Sequence, residues 1–242
     1  MPADTCPTIS IVIVTLNAGT SLQKCLDSIY LQTYPAIEIV IIDGASTDNT
    51  PGILQANAAH ITCWISEPDY GIYDAMNKAL KYITGQWVYF LGADDELLPD
   101  FSLFAAKLTD HTAIYYANVL HNGIKRSGQV SPYYMAKVGI YHQAIIYPEA
   151  VFKKYNYNTR YKIAADYALN MQCYKDPHFN FIHENFIIAK YNHTGVSATV
   201  VDIAFENDKA KLIWQNFSPD IWMRFIFRKL KSALRKQKPY CL

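Results

Sequence analysis

No stretch of the 242-residue chain reaches the ~18–20 consecutive apolar residues that a membrane-spanning helix needs. Cysteine is sparse and scattered: Cys6, Cys25, Cys63, Cys173 and Cys241 form no CxxC pair and stand at no zinc-ligand spacing with a histidine. Such a set predicts reduced thiols, not a disulfide framework or a structural zinc site. The opening segment MPADTCPTIS lacks the basic region and apolar stretch of a secretory leader. These absences lead to the expectation of a cytoplasmic protein, soluble or peripheral. No GxGxxG follows the first apolar run, where TLNAGT stands, and neither a GxxxxGK[ST] loop nor a GxSxG elbow occurs. A dinucleotide site, a P-loop and an α/β-hydrolase nucleophile therefore have no fingerprint here. No internal repeat of solenoid period is present.

What is there is apolar and unevenly charged. Hydrophobic residues make up 51% and charged residues 18% of the chain, which excludes a disordered or collagenous protein. The net charge of +1 excludes wholesale electrostatic capture of nucleic acid. That average hides a division: seven of the 22 basic residues fall within 220–242, against Asp220 as the one acid there. Body and tail follow different charge logic.

Apolar β-branched runs at Thr8–Thr15 (TISIVIVT), Ile37–Asp43 (IEIVIID), Ile61–Ser66 (ITCWIS) and Trp87–Leu91 (WVYFL) predict four buried strands. Between them Leu22, Cys25, Leu26 and Ile29 mark one amphipathic helix, closed by Tyr34-Pro35. A second helix is expected over about Pro51 to Ala59, and a third along Met76, Ala79, Leu80 and Ile83, ended by Gly85. Strand and helix alternate on short connections, the signature of a doubly wound α/β sheet. Such sheets bind ligands at the carboxyl ends of their strands, which directs attention to Asn17, Asp43, Asp94 and Asp95. Beyond Ala113 the pattern loosens. AIYYANV, QAIIY, FNFIH and FIIAKY read as partly antiparallel strands, with a helix through Tyr167, Leu169, Met171 and Tyr174.

Several residues carry chemistry under one reading and plain structure under another. Asp94 and Asp95 end an apolar strand, where adjacent carboxylates either hold a hard cation such as Mg²⁺ or Mn²⁺ or cap the next helix. Asp43 precedes a turn-rich STDNT segment in which Asp48 can serve as a cap. In EPDYGIYDAMNKAL, Gly71 permits a close backbone approach to a ligand at the start of a helix, a ready anion site. Asp74 and Lys78 share a face of that helix, where an ordinary i,i+4 ion pair explains them equally. Asp166 opens a helix, His142-Gln143 precedes an apolar strand, and His193 lies in the loop NHTGVSAT. Each of these has a bland reading as cap, core or solvated side chain.

Taken together and in order, VIVTLNAG, IIDGASTDNT, WISEPDYGIYDAMNKAL, FLGADDELLP, HQAIIYP and IAADYAL resemble the inverting family 2 glycosyltransferases of GT-A fold. The likeness is to the bacterial subgroup that assembles O-antigen, colanic-acid-type and other surface polysaccharides, and it covers residues 8 to about 200. It implies a mostly parallel α/β sheet flanked by helices, a nucleoside diphosphate sugar donor (UDP-sugar favoured) and Mn²⁺ or Mg²⁺. Thr15 and Asn17 fall where the family meets the nucleotide, and Asp43 where it meets the base or ribose. Asp69, Gly71, Asp74 and Lys78 belong to the donor-side motif. Asp94 takes the place of the metal motif with Asp95 in support, although Gly92 stands where the first aspartate is usual. Met76 occupies a position where many members carry arginine. Asp166 matches the proposed catalytic base, with Ala165 where a glutamate is common. His142, Gln143 and His193 are assigned to the acceptor or phosphate side.

The expected organisation is a transferase domain over 1–218, with a nucleotide-sugar half at about 8–112 and an acceptor half at about 113–200. A basic amphipathic tail follows over 219–242. There Met223, Ile226, Phe227, Leu230 and Leu234 lie on one helical side, while Arg224, Arg228, Lys231 and Arg235 follow another. That arrangement suits an anionic membrane surface, and with it a lipid-linked glycan acceptor at the inner face of the cytoplasmic membrane. A helix packed on the domain competes with it. Three other functions compete with the enzyme. A sugar-phosphate nucleotidyltransferase requires a Gly-rich, Arg-containing loop that TLNAGT does not supply. A non-catalytic nucleotide-sugar binder is suggested by Gly92. A nucleic-acid binder has no base-reading module.

Overall fold

A computed structural model describes residues 6–192 and 200–236. The first half is a run of βαβ units: β1 (Ile9–Thr15), α1 (Leu22–Tyr30), β2 (Ile37–Asp43), α2 (Thr50–Ala56), β3 (Cys63–Ser66), α3 (Ile72–Ala79) and β4 (Trp87–Gly92). The four strands lie parallel in the order β3-β2-β1-β4. β1, β2 and β4 show no alternation because both faces are covered; Ile9, Ile11, Ile13, Trp87, Val88 and Tyr89 are all fully buried, whereas the edge strand β3, expected to be buried, is only partly covered. Helix α1 turns Leu22, Cys25, Leu26 and Ile29 inward and ends at Tyr30, four residues short of Tyr34-Pro35. Helix α3 begins at Ile72, well before the stripe at Met76, because Gly71 at φ +115° and ψ 174° launches it from a conformation open to glycine.

The second half adds β5 (Glu96–Leu97), α4 (Asp100–Ala105), β6 (Ala113–His121), β7 (Ile124–Arg126), α5 (Pro132–Lys137), a single 3₁₀ turn (His142–Ala144), β8 (Ile145–Pro148), α6 (Glu149–Lys154), α7 (Ala165–Lys175), β9 (Asn180–Tyr191), α8 (Ile203–Asn216) and α9 (Pro219–Lys236). Strand β8 joins β4 antiparallel, and the sheet continues β4-β8-β6-β9-β5. FNFIH and FIIAKY merge into the one long strand β9, which pairs parallel with β6 across register shifts around Asn118. Only three residues separate β4 from β5, yet three strands stand between them in the sheet, so the sheet curls back on itself. The β5–β9 pairing (Glu96 with Lys190, Leu97 with Ala189) brings the end of β9 beside Asp94-Asp95. Large rings fill the interior, among them Trp87, Tyr89, Phe90, Phe101, Phe104 and Tyr147. Each contributes roughly 1.5–3 kcal/mol by leaving water.

The tail helix has two working faces. Ile221, Trp222 and Phe225 pack inward; Trp222 Nε1 donates to the Ala210 carbonyl at 3.0 Å, and its ring meets Trp214 edge-on. Arg224 lies 3.9 Å over the ring of Tyr133, beside α5. Met223, Phe227, Leu230 and Leu234 all face outward, each more than half exposed. Of the expected apolar stripe, only Ile226 is partly covered.

Candidate active site

A cavity of about 660 Å³ opens above the carboxyl ends of β1 and β4. From β1 it takes Thr15, whose Oγ1 is buried and has no hydrogen-bond partner among the described residues. Asn17, at φ +54°, also lines it, while its Oδ1 accepts from the Thr47 amide at 2.9 Å and ties the β1 loop to the turn after β2. Asp69 reaches the wall because residue 44 is glycine: a Cβ there would stand 2.6 Å from Asp69 Oδ2. The Gly71 amide in turn donates to Asp69 Oδ1 at 2.7 Å, and Gly71, Ile72 and Tyr73 aim the start of α3 at the same space.

Asp94 stands on the rim, half-buried, shared with a smaller cavity of about 350 Å³ that runs toward Lys24, Glu96 and Lys190. Asp95 lies behind it, almost fully buried, and accepts from Gln143 Nε2 at 2.8 Å and the Asn192 amide at 2.7 Å. Burial pushes its carboxyl up to about 6, and the Asp94 charge adds to the rise, against the opposing hydrogen bonds. Neither aspartate caps a helix, since β5 follows. Gly92 now has a physical reason. A Cβ at this position would sit 2.5 Å from Asp95 Oδ2 and 3.1 Å from Asp94 Oδ1. The Asp95 side chain folds into the space that a residue at position 92 would use.

Across the cavity, Asp166 lies one residue inside α7 and accepts from the Tyr73 hydroxyl at 2.6 Å. His142 packs half-buried against Phe90 and meets the Tyr157 hydroxyl at 3.1 Å; desolvation holds its imidazole below the ordinary histidine range. The cavity thus brings together Thr15, Asn17, Asp69, Gly71, Asp94, Asp95, His142, Gln143 and Asp166. Three others stand off it. Asp43 is fully buried at the end of β2, where the Ser46 amide and the hydroxyls of Ser46 and Ser66 donate to it. Asp74 accepts from the Tyr70 amide, and Lys78 pairs with Glu67 at 2.9 Å and donates to the Pro68 carbonyl, so both close the 67–71 loop on itself. His193 lies outside the described residues. Tyr73 and Asn192 carry contacts that sequence reasoning did not assign. Tyr73 at least sits inside the EPDYGIYDAMNKAL motif, whereas Asn192 is placed by the non-local β5–β9 pairing.

Residues 10–180 match the family described as Glycosyl transferase family 2. The chain belongs to that family. PGL/p-HBAD biosynthesis glycosyltransferases of Mycobacterium bovis (strain BCG / Pasteur 1173P2) and Mycobacterium tuberculosis (strain ATCC 25177 / H37Ra) are each 36% identical to it over 211 residues, covering 82% of this chain and 82% of theirs. Among solved structures, Staphylococcus aureus TarS 1–349 in complex with UDP-GlcNAc superposes with a TM-score of 0.69 at 18% identity, covering 90% of this chain and 71% of that one. The longer TarS chain is matched over 39% of its length. The mannosyltransferase PcManGT of Pyrobaculum calidifontis, in complex with GDP-Man and Mn²⁺, gives a TM-score of 0.64 at 19% identity over 88% of this chain and 64% of that one. At such identities the likeness is one of fold, and it makes this family 2 member a GT-A-like α/β protein with added C-terminal helices.

Proposed function

We propose that this family 2 glycosyltransferase moves a sugar, with inversion, from a nucleoside diphosphate sugar to a hydroxyl of a growing, lipid-linked surface polysaccharide of the O-antigen or colanic-acid class. The observation that carries the reading is that Asp94 and Asp166 line one cavity, a carboxylate on each side. The donor half, about 8–112, then supplies Thr15, Asn17, Asp69, Gly71 and the start of α3 to the nucleotide and its phosphates. A UDP-sugar is the favoured donor; TarS, of like fold, holds UDP-GlcNAc. The acceptor half, about 113–200, supplies Asp166, which takes the proton of the attacking hydroxyl as general base. A single displacement with base and leaving diphosphate on opposite faces inverts the anomeric carbon.

The donor set fits a hard divalent cation of the Mn²⁺ or Mg²⁺ kind. Among the described residues no group of three or more His, Cys, Asp or Glu is gathered, and such ions need only one or two carboxylates beside substrate phosphates. Asp94 would hold the ion, with Asp95 behind it, whose buried carboxyl a neighbouring cation would relieve. When bound, the ion supplies charge neutralisation for the departing diphosphate.

Asp166→Asn is expected to cut transfer by about 10²–10⁴-fold while the donor still raises the melting temperature. A thermal-shift panel of UDP, GDP, dTDP and their sugars, with and without Mn²⁺, ranks base and sugar together. Loss of the donor-induced shift in Asp166→Asn overturns its role as base. Among the described residues no helix is long and apolar enough to cross a membrane. The outward stripe of Met223, Phe227, Leu230 and Leu234, beside Arg228, Lys229 and Lys231, supports peripheral attachment to an anionic inner-leaflet surface. There each basic residue is worth roughly 1 kcal/mol. Phe227→Glu with Leu230→Glu is expected to abolish flotation with phosphatidylglycerol vesicles at unchanged melting temperature; undiminished flotation removes the idea.

A further inference from the structure

Tyr73 is buried at the middle of the EPDYGIYDAMNKAL motif, and its hydroxyl reaches out of the donor half to the acceptor side. It stands 2.6 Å from Asp166 Oδ1 and 2.8 Å from the Ile163 carbonyl. A phenol has a single proton to donate, and the carboxylate is the closer acceptor. Both partners are themselves fixed. The ring of Tyr73 packs on Tyr157 at 5.1 Å, and Asn77, one turn further along α3, exchanges hydrogen bonds of 2.9 and 3.0 Å with the Tyr157 backbone. On the other side Asp202 Oδ2 accepts from the amides of Ile163 and Ala164, pinning the turn that leads into α7. The phenol thus ties α3 to the start of α7 at the wall of the cavity.

We infer that Tyr73 is a positioning residue for the transfer step: its hydroxyl engages Asp166 Oδ1, leaving Oδ2 turned to the acceptor hydroxyl. The inference rests on Asp166 being the base. Burial, reinforced by the Asp166 charge, drives the phenol well above its ordinary range, so it remains a donor at any working pH. A one-point hydrogen bond of this kind removes the rotational freedom of the carboxylate, and alignment of reacting atoms is where catalytic rate is gained. It also explains why a tyrosine occupies a position where burial alone would accept phenylalanine.

The test is a double-mutant cycle of Tyr73→Phe and Asp166→Asn. It is read as nucleoside diphosphate release from UDP-glucose, UDP-N-acetylglucosamine, GDP-mannose and dTDP-rhamnose, with a membrane lipid extract as acceptor. Tyr147→Phe, which deletes a buried hydroxyl bonded to Asn170, serves as the packing control. Tyr73→Phe is expected to lower the maximal rate roughly 10–100-fold with half-saturating donor concentration within about twofold, and to cost nothing further in the Asp166→Asn background. An unchanged rate in Tyr73→Phe, an additive loss in the double variant, or an equal loss in Tyr147→Phe overturns the inference. A fully active Asp166→Asn, or no turnover of any donor by the wild type, instead overturns the reading beneath it. Should Tyr73→Phe fail to fold, 3-fluorotyrosine placed at position 73 keeps the hydroxyl. Its ¹⁹F resonance is expected to shift in Asp166→Asn; a resonance indifferent to that substitution means that the bond does not exist in solution.

Discussion

Two buried carboxylates stand at opposite ends of the strands that flank β1, and their surroundings push them in opposite directions. Glu38, at the amino end of β2, would be raised by burial. Hydrogen bonds from the hydroxyls of Ser10 and Thr84 and the amides of Thr84 and Gly85 outweigh that and hold it below the usual glutamate range. Asp95, just past the carboxyl end of β4, receives hydrogen bonds from the Gln143 side chain and from the Asn192 and Gly92 backbone and has Asp94 beside it; burial wins, and the carboxyl rises to about 6. The difference is one of satisfaction. At the amino end every demand of the charge is met from within the chain, so the group serves stability. At the carboxyl end the hydrogen bonds that reach Asp95 do not offset its burial and the Asp94 charge, so the fold carries this carboxylate at a cost to stability.

Replacing Glu38 strikes the satisfied end and carries the largest expected effect on stability. Glutamine keeps the shape but turns an NH₂ toward donors, so Glu38→Gln is expected to cost about 2–4 kcal/mol in urea unfolding. The pH dependence has a definite sign. A carboxyl depressed by folding stabilises above its unfolded value, about 4.3, and that contribution is lost as pH falls through the lower folded value. The gap between wild type and variant is therefore full at pH 7 and closes below pH 4. A gap that persists there means Glu38 acts through packing. Activity per folded molecule is expected to be unaffected.

Gly92→Ala strikes the open end and is expected to cost less, about 1–3 kcal/mol. Its Cβ displaces Asp95 from Gln143 and Asn192, so the larger consequence falls on donor binding. The Mn²⁺-dependent part of the donor-induced thermal shift should vanish. Retention of that part shows that Asp95 can move aside without consequence.

The amino half of the fold was legible in the sequence because its signals are local. A run such as IEIVIID can only be a strand buried on both faces, and it is Ile37–Asp43 in the structure. The same locality explains what was not legible. Strand β5 is two residues long and exists only because β9, some ninety residues later, pairs with it. Helix α8 offers no clean apolar stripe, since only Phe205, Leu212 and Ile213 are buried. Position within a motif identified the loops but not the direction of each side chain. Asp69 faces the cavity, whereas Asp74 and Lys78, in the same motif, turn back to Tyr70 and Glu67. Gly92 departs from the family pattern in sequence, and the space it leaves holds the Asp95 side chain.

Asp95→Asn is expected to have the smallest effect, and the opposite sign. A carboxyl raised by folding binds its proton more tightly in the native state, so stability falls as pH rises between about 3.9, the unfolded value, and the folded value of about 6. The penalty is complete above pH 6. Asparagine removes it while its Oδ1 still accepts from the Asn192 amide, and Gln143 can turn its amide to accept from the new Nδ2. The variant should therefore unfold at least as high as wild type at pH 7.5, by about 1 kcal/mol or roughly 2–4 °C, with the advantage gone at pH 4. Melting curves at pH 4, 5, 6 and 7.5 read this directly. A loss of stability at pH 7.5 would place Asp95 with Glu38 as a structural carboxylate, and would erase the contrast between the two ends of the sheet.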